Sequence, residues 1–354
     1  MHLLAEVLES GFLVQGENVA RFEQQVADFL SVKHAIAVSS GTAALHLSLV
    51  ALGIGPGDEV IVPAYTFPAT ANVVELVGAK PVLVDVDLET YNIQIEQIER
   101  AISPNTKAII PVHLFGNPAD MDPIMEIAKK HNLWVIEDAA GALGSIYKGK
   151  KCGTIGHLGC FSFHPRKIVT TGEGGMVVTN DNDLAEQIRS LRNHGMRTAG
   201  TRPDFIAAGF NYRMNELEAV LGVIQMREIQ EIISERQRLA ELYTDVLKVV
   251  SGLAFQKVLP NCTTVWQAFV VRFEDMDVSS VLGFLRNANI EANIGTYALH
   301  VLQFYSTKYG YKPSNYPNAV ELYFRSLALP FYNRMAQRDI VQVVDTLRGI
   351  FNED

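Results

Sequence analysis

KHAIAVSSGTAALHLSLVALGIGPGDEVIVP, residues 33–63, decides the fold class. Ile36–Val38 is a short apolar run of strand type. Gly41 and Thr42 then open a helix, with Leu45, Leu49 and Leu52 on one side. The stretch Gly53–Asp58 stops that helix, and Val60–Pro63 reads as a second strand. Few positions in these strands alternate polar with apolar, so both faces need cover.

The same rhythm continues downstream. PVLVDV (81–86), KAIIPVHLFG (107–116, ending near His113) and LWVIEDAAG (133–141) carry strands, and IQIEQIERAI (93–102) and MDPIMEIAKKHN (121–132) read as helices. GCFSFH (159–164) and GGMVVT (174–179) add two more strands. Upstream, Phe22, Val26 and Phe29 have helical spacing after the Gly16 turn. Strands alternating with helices predict a largely parallel α/β sheet covered on both faces. The segment 225–250 reads as one long helix leading into a smaller domain. There, 266–273 gives a strand, 279–292 a helix and 339–351 a terminal helix.

The chain has 354 residues, of which 48% are apolar and 19% charged, enough for a substantial core and too apolar for global disorder. Lys and Arg number 30 against 39 Asp and Glu, giving a net charge of −9 with no nucleic-acid footprint. Cys152, Cys160 and Cys262 make neither a disulfide framework nor a thiolate metal site. No apolar run suits a membrane span and no secretory leader is visible, so the cytoplasm is the expected location.

Three segments carry candidate chemistry where ligands gather in open α/β sheets, beyond the strand carboxyl ends. In SSGTAAL (39–45), a tight glycine turn, hydroxyls and a helix N-terminus suit a phosphate, or form an ordinary helix cap. Neither a Walker loop nor a GxGxxG fingerprint is present, which disfavours ATP and NAD. In VIEDAAG (135–141), Asp138 either pairs with a protonated heterocyclic nitrogen or makes a structural cap or ion pair. In FSFHPRKIVTTGEGGMVVT (161–179), Lys167 is either a solvated loop charge or an amine that attacks an aldehyde cofactor. Asp85 and Asp87 read as caps and hydrogen-bond acceptors. His113, His157 and His164 form no zinc motif, so no metal is expected.

Taken in order, FEQQVADFL, SSGTAALHLSLVALGIGPGDEVIVP, YTFPATANVV, PVLVDVD, KAIIPVHLFG, IEDAAGALGSIYKG, FSFHPRKIVTTGEGGMVVT, FNYRMNELEAVLG and SLALPFYNRM resemble the DegT/DnrJ/EryC1/StrS family of sugar aminotransferases across nearly the whole chain. The resemblance implies fold type I, the aspartate-aminotransferase-like class of pyridoxal-phosphate-dependent transferases. It has a three-layer large domain, here 1–240 with the N-terminal segment, and a smaller α+β C-terminal domain, 241–354. It also implies pyridoxal 5'-phosphate as cofactor and a homodimer with shared active sites.

By motif, Lys167 carries the cofactor and moves protons, and Asp138 keeps the pyridine nitrogen protonated. Thr42, Ser162 and the backbone near Gly41 bind the phosphate, Phe67 and Ala140 pack on the two ring faces, and Asn211 reaches the neighbouring subunit's phosphate. Arg213, Tyr297, His300 and Arg325 are the substrate-binding candidates, while Arg192, His194 and Arg197 form a basic cluster. A histidine in place of Lys167 would mark the dehydrating branch of the superfamily, so lysine favours amino transfer, from glutamate to a nucleotide-linked keto sugar. A sugar dehydratase, a cyclitol aminotransferase and a catalytically silent homologue are the alternatives. One departure stands out: the family usually places glutamine or histidine where this chain has Gly141.

Overall fold

The computed structural model describes residues 2–199 and 202–351. Seven strands build the large sheet: β1 (His34–Val38), β2 (Glu59–Pro63), β3 (Lys80–Val84), β4 (Thr106–Ile109), β5 (Trp134–Asp138), β6 (Leu158–Ser162) and β7 (Gly175–Thr179). Their order is β1-β7-β6-β5-β4-β2-β3. The pairings β3/β2, β2/β4, β4/β5 and β5/β6 are parallel, and β7 runs antiparallel to both neighbours. The reason is local: the loop 163–174 returns directly from β6 to β7 with no crossover helix, and a direct return gives an antiparallel neighbour.

Two apolar cores cover the sheet. Leu45, Leu47 and Leu49 of the Gly41–Ala51 helix belong to one, with Ile36, Val38, Val60 and Val62. Phe22 and Val26 of the Glu17–Leu30 helix belong to the other, with Ala35, Ala37, Ile61 and Val135. Successive strand residues point to opposite faces, so each apolar run feeds both cores.

The segment 225–250 is not one helix. The Glu216–Arg227 helix ends at Glu228 (φ −104°, ψ 5°), whose N–H closes on Gln225 O at 3.0 Å, and a second helix runs Ile229–Leu247. The change of core comes within the second helix, after Ile233. Val223, Ile229 and Ile233 pack with the large sheet, whereas Leu239, Tyr243 and Leu247 pack with the small antiparallel sheet. That sheet orders Leu253–Phe255, Phe269–Phe273, Ser326–Leu329 and Asn293–Ile294, and the Gln337–Phe351 helix closes the chain. The stretch 93–102 likewise holds only a short α turn, Ile95–Ile98, followed by a 3₁₀ turn, Glu99–Ala101.

Late segments return to the large sheet. Tyr297–Ala298 pairs with Tyr65–Thr66. Asp85 accepts the Asn318 and Ala319 N–H groups at 3.1 and 2.9 Å, capping the Pro317–Arg325 helix, while Asp87 accepts the Glu89 and Thr90 N–H groups. Asp85 is thus a buried helix cap and Asp87 an acceptor within the turn that follows it. All three cysteines are free. Among the described residues no helix is long and apolar enough to cross a membrane.

Candidate active site

The carboxyl ends of β1, β5 and β6 lie on one edge of the sheet. Val38 stands opposite Gly175, Gly175 opposite Ser162, and Asp138 beside Cys160. The segments singled out from sequence therefore converge here.

Gly41 begins its helix against β6. A Cβ placed on it would lie 2.7 Å from Ser162 Cβ, closer than real side chains pack. Ser40 caps the helix: its Oγ accepts Ala43 N–H at 3.0 Å and its carbonyl accepts Ala44 N–H. The Gly41 and Thr42 N–H groups are thereby left as donors that no helix carbonyl reaches. Thr42 is exposed and Ser162 half-buried at the same turn, so hydroxyls and N–H groups form one anion-binding cup. Gly41→Ala should cost about 1–3 kcal/mol by overpacking, read as a lowered unfolding midpoint.

Asp138 is buried at the end of β5. Thr70, in the Ala69–Leu76 helix, donates its hydroxyl to Oδ2 at 2.8 Å, and Ala140 N–H donates to Oδ1 at 3.2 Å. Burial nevertheless pushes the carboxyl above its usual range. The Thr70 and Ala140 hydrogen bonds and the Lys167 charge pull against that rise. Neighbouring Glu137 points the other way, as alternation along a strand requires. It is fully buried and accepts N–H groups from Gly153, Ile155 and Gly156 and a bond from His113 Nε2. Ala119 N–H donates to His113 Nδ1, which places the ring proton on Nε2. Glu137 is thus a strut for the loop after β5, and Asp138 alone faces the site.

Lys167 sits in the loop 163–174. That loop is pinned by Phe163 N–H to Gly174 O, by Thr171 N–H to Phe163 O, and by Gln225, which bonds both backbone groups of Thr170. Burial lowers the lysine pKa, the Asp138 charge opposes the fall and Arg166 adds to it. More of the amine is neutral, and so nucleophilic, than in water.

Phe67 is 62% exposed and projects from the turn before the Ala69–Leu76 helix, its ring centroid 6.2 Å from that of Tyr297. Tyr297 is brought to this side through its pairing with Thr66. Ala140 is half-buried directly after Ala139. Asn211 is exposed, and Arg213 donates to Asn193 Oδ1 at 2.5 Å. The other two substrate candidates each spend one nitrogen on a backbone carbonyl. His300 is fully buried edge-on to Tyr316, with Nε2 3.4 Å from Pro313 O, and Arg325 donates to the Glu274 carbonyl. In the basic cluster, Arg192 bridges Glu23 and the Ala37 carbonyl, and Arg197 bridges Glu186. Thr70 lies within YTFPATANVV but takes no role there from sequence, and Gln225 carries no distinguishing motif; tertiary packing assigns both.

The model of the DegT/DnrJ/EryC1/StrS aminotransferase family matches residues 1–348. The chain belongs to that family. This aminotransferase is 38% identical to the spore coat polysaccharide biosynthesis protein SpsC of Bacillus subtilis, over 98% of its own length and 93% of that protein. It is 35% identical to the GDP-perosamine synthase of Escherichia coli O157:H7, over 98% and 94%. The PLP form of the sugar aminotransferase homologue Spr1654 from Streptococcus pneumoniae superposes with a TM-score of 0.94 at 27% identity, over 99% and 95%. The fold is type I and the cofactor is pyridoxal phosphate. The site fits that cofactor: a helix N-terminus packed so closely on Ser162 that only glycine serves at 41, a buried carboxylate and a lysine with lowered pKa stand on one sheet edge.

Proposed function

We propose that this aminotransferase moves an amino group from glutamate to a nucleotide-linked keto sugar, with Lys167 and Asp138 as its catalytic residues. The convergence of buried Asp138, held by Thr70 and Ala140, with the Gly41 helix N-terminus, Ser162 and the pinned Lys167 loop at one sheet edge carries the reading. Bound beside them, pyridoxal phosphate supplies the electron sink and stores the amino group between substrates.

The chain's own residues do the rest. Lys167 would hold the cofactor at rest and, once released, take a proton at its Nζ from one carbon and deliver it to the other within each half-reaction, in the opposite direction in the second. Asp138 keeps the pyridine nitrogen protonated, with its carboxylate oriented by Thr70 and Ala140. Gly41, Thr42 and Ser162 hold the phosphate, Phe67 and Ala140 flank the ring, and Tyr297 borders the substrate side. A GDP-linked keto sugar heads the list of acceptors, because the similar proteins include GDP-perosamine synthases. Incubating holoenzyme with glutamate and a panel of nucleotide-linked keto sugars should give one aminated nucleotide sugar by mass spectrometry. A product that has lost water without gaining nitrogen would favour dehydration instead.

The working unit in this reading is a homodimer. Leu4, Leu8, Leu217 and Leu221 line an apolar surface cleft together with Thr171 of the lysine loop, and Phe12, Leu13 and Val14 are exposed nearby in sequence. A second copy seated there would bury the apolar groups and brace the loop, with exposed Asn211 available to its site. Leu221→Glu should shift the protein to monomers in sedimentation and lower activity at least about tenfold. A fully active monomer would contradict the shared site.

A further inference from the structure

Gly141 leaves room that the fold fills from a distant part of the chain. A Cβ on Gly141 would lie 3.0 Å from Gln267 Oε1, 3.3 Å from its Cγ and 3.4 Å from its Cβ. The Gln267 side chain therefore occupies the space a side chain at 141 would take. Its Nε2 donates to the Arg166 carbonyl at 3.0 Å. The same peptide unit is held at its other edge, where Lys167 N–H reaches His164 O at 2.9 Å. Because the peptide is planar, two bonds on opposite edges fix the plane that precedes the Lys167 Cα. They thereby fix the N–Cα bond of Lys167, from which its side chain is carried.

Gln267 is itself anchored. Its N–H donates to Phe115 O at 2.9 Å. Arg236, buried in the Ile229–Leu247 helix, donates from Nη1 to Trp266 O at 2.9 Å and to Gln267 O at 3.3 Å. Trp266 adopts φ +50°, a conformation bulky residues rarely take, and these bonds hold it there.

We propose that Gln267 is the positioning residue for Lys167, and that residue 141 is glycine to admit its amide. The proposal rests on Lys167 being the cofactor lysine. It assigns to this chain a supporting amide that arrives from position 267 rather than from position 141. Gln267→Glu keeps the shape but presents a carboxylate that cannot donate to Arg166 O; Gln267→Ala removes the group. Each should weaken cofactor retention about fivefold, the worth of one hydrogen bond. Each should also move the pH midpoint of the bound cofactor's visible absorbance. Gly141→Ala should do the same in the parent, yet add nothing in the Gln267→Ala background, because the two residues act as one unit.

Borohydride reduction of the holoenzyme followed by peptide mass spectrometry separates the two levels. Cofactor fixed on a residue other than Lys167 overturns both readings. Cofactor on Lys167, with an unchanged absorbance midpoint in both Gln267 variants, overturns this proposal alone. So does a fall in the unfolding midpoint without a spectral shift, which marks a merely structural residue. Additive effects of Gly141→Ala and Gln267→Ala would likewise overturn it.

Discussion

Lys167→Ala should reduce amino transfer by about 10⁴-fold or more while leaving the fold intact. The substitution removes the cofactor's anchor and the mobile proton carrier in one step, and the structure offers no replacement amine in the pinned loop. His164 is nearby in sequence, but its Nδ1 accepts Arg166 N–H at 3.3 Å within the turn. The apo-protein should also become more stable at neutral pH. Burial holds the Lys167 pKa below its ordinary 10.5, so the native state gives up a proton that the unfolded chain keeps. Between the native pKa and 10.5 the parent gains stability as pH rises. The variant's advantage in unfolding midpoint should therefore be largest at neutral pH and shrink as pH approaches 10.5. Wild-type turnover by purified Lys167→Ala protein would remove the lysine from the mechanism.

Asp138→Asn is expected to lower kcat by about 10²–10³-fold. The amide keeps the volume but cannot balance a protonated ring nitrogen. It also presents an N–H₂ group toward a position already served by two donors, the Thr70 hydroxyl and Ala140 N–H. The pH dependence follows from the same contacts. Burial raises the Asp138 pKa, so activity falls on the acid side as the carboxylate is protonated. The Thr70 hydrogen bond is the largest effect holding that rise in check. Thr70→Val should therefore move the acid limb of the kcat profile to higher pH while sparing the alkaline limb. An unmoved acid limb would mean that Asp138 is not the group titrating there.

These residues differ in how far the sequence reveals them. The strand–helix rhythm of 33–63 and its repeats announce the sheet because each strand is apolar on both faces and each helix follows at once. Lys167, Asp138 and Gly41 stand out because each follows or ends an apolar strand-like run within a distinctive motif. The antiparallel course of β7 is not legible, since GGMVVT has the composition of its parallel neighbours and only the lack of a crossover helix reverses it. The break at Glu228 is hidden because the apolar spacing continues across it, with Val223, Met226, Ile229 and Ile233 all in one core, and the change to the second core comes only at Leu239. Periodicity reports which residues are buried, not what they are buried against.

The acidic pair in VIEDAAG shows the same limit. Both carboxylates look equivalent in sequence, yet strand alternation sends Glu137 into backbone N–H groups and leaves Asp138 for the site. His300 and Arg325 have the chemistry of substrate ligands; one nitrogen of each meets a carbonyl, of Pro313 and of Glu274, while His300 Nδ1 is buried without a hydrogen-bond partner. Thr70 and Gln267 are ordinary residues until the fold sets them beside Asp138 and Lys167. Gly141 was visible as a departure; what fills its space was not.

The most direct test follows labelled nitrogen. Holoenzyme incubated with ¹⁵N-glutamate and a GDP-linked keto sugar should yield 2-oxoglutarate and a nucleotide sugar carrying the ¹⁵N, and the Lys167→Ala protein should yield neither. Transfer of the label by the variant at the parent's rate, or a product without nitrogen from the parent across the whole panel of nucleotide-linked keto sugars, would contradict the account.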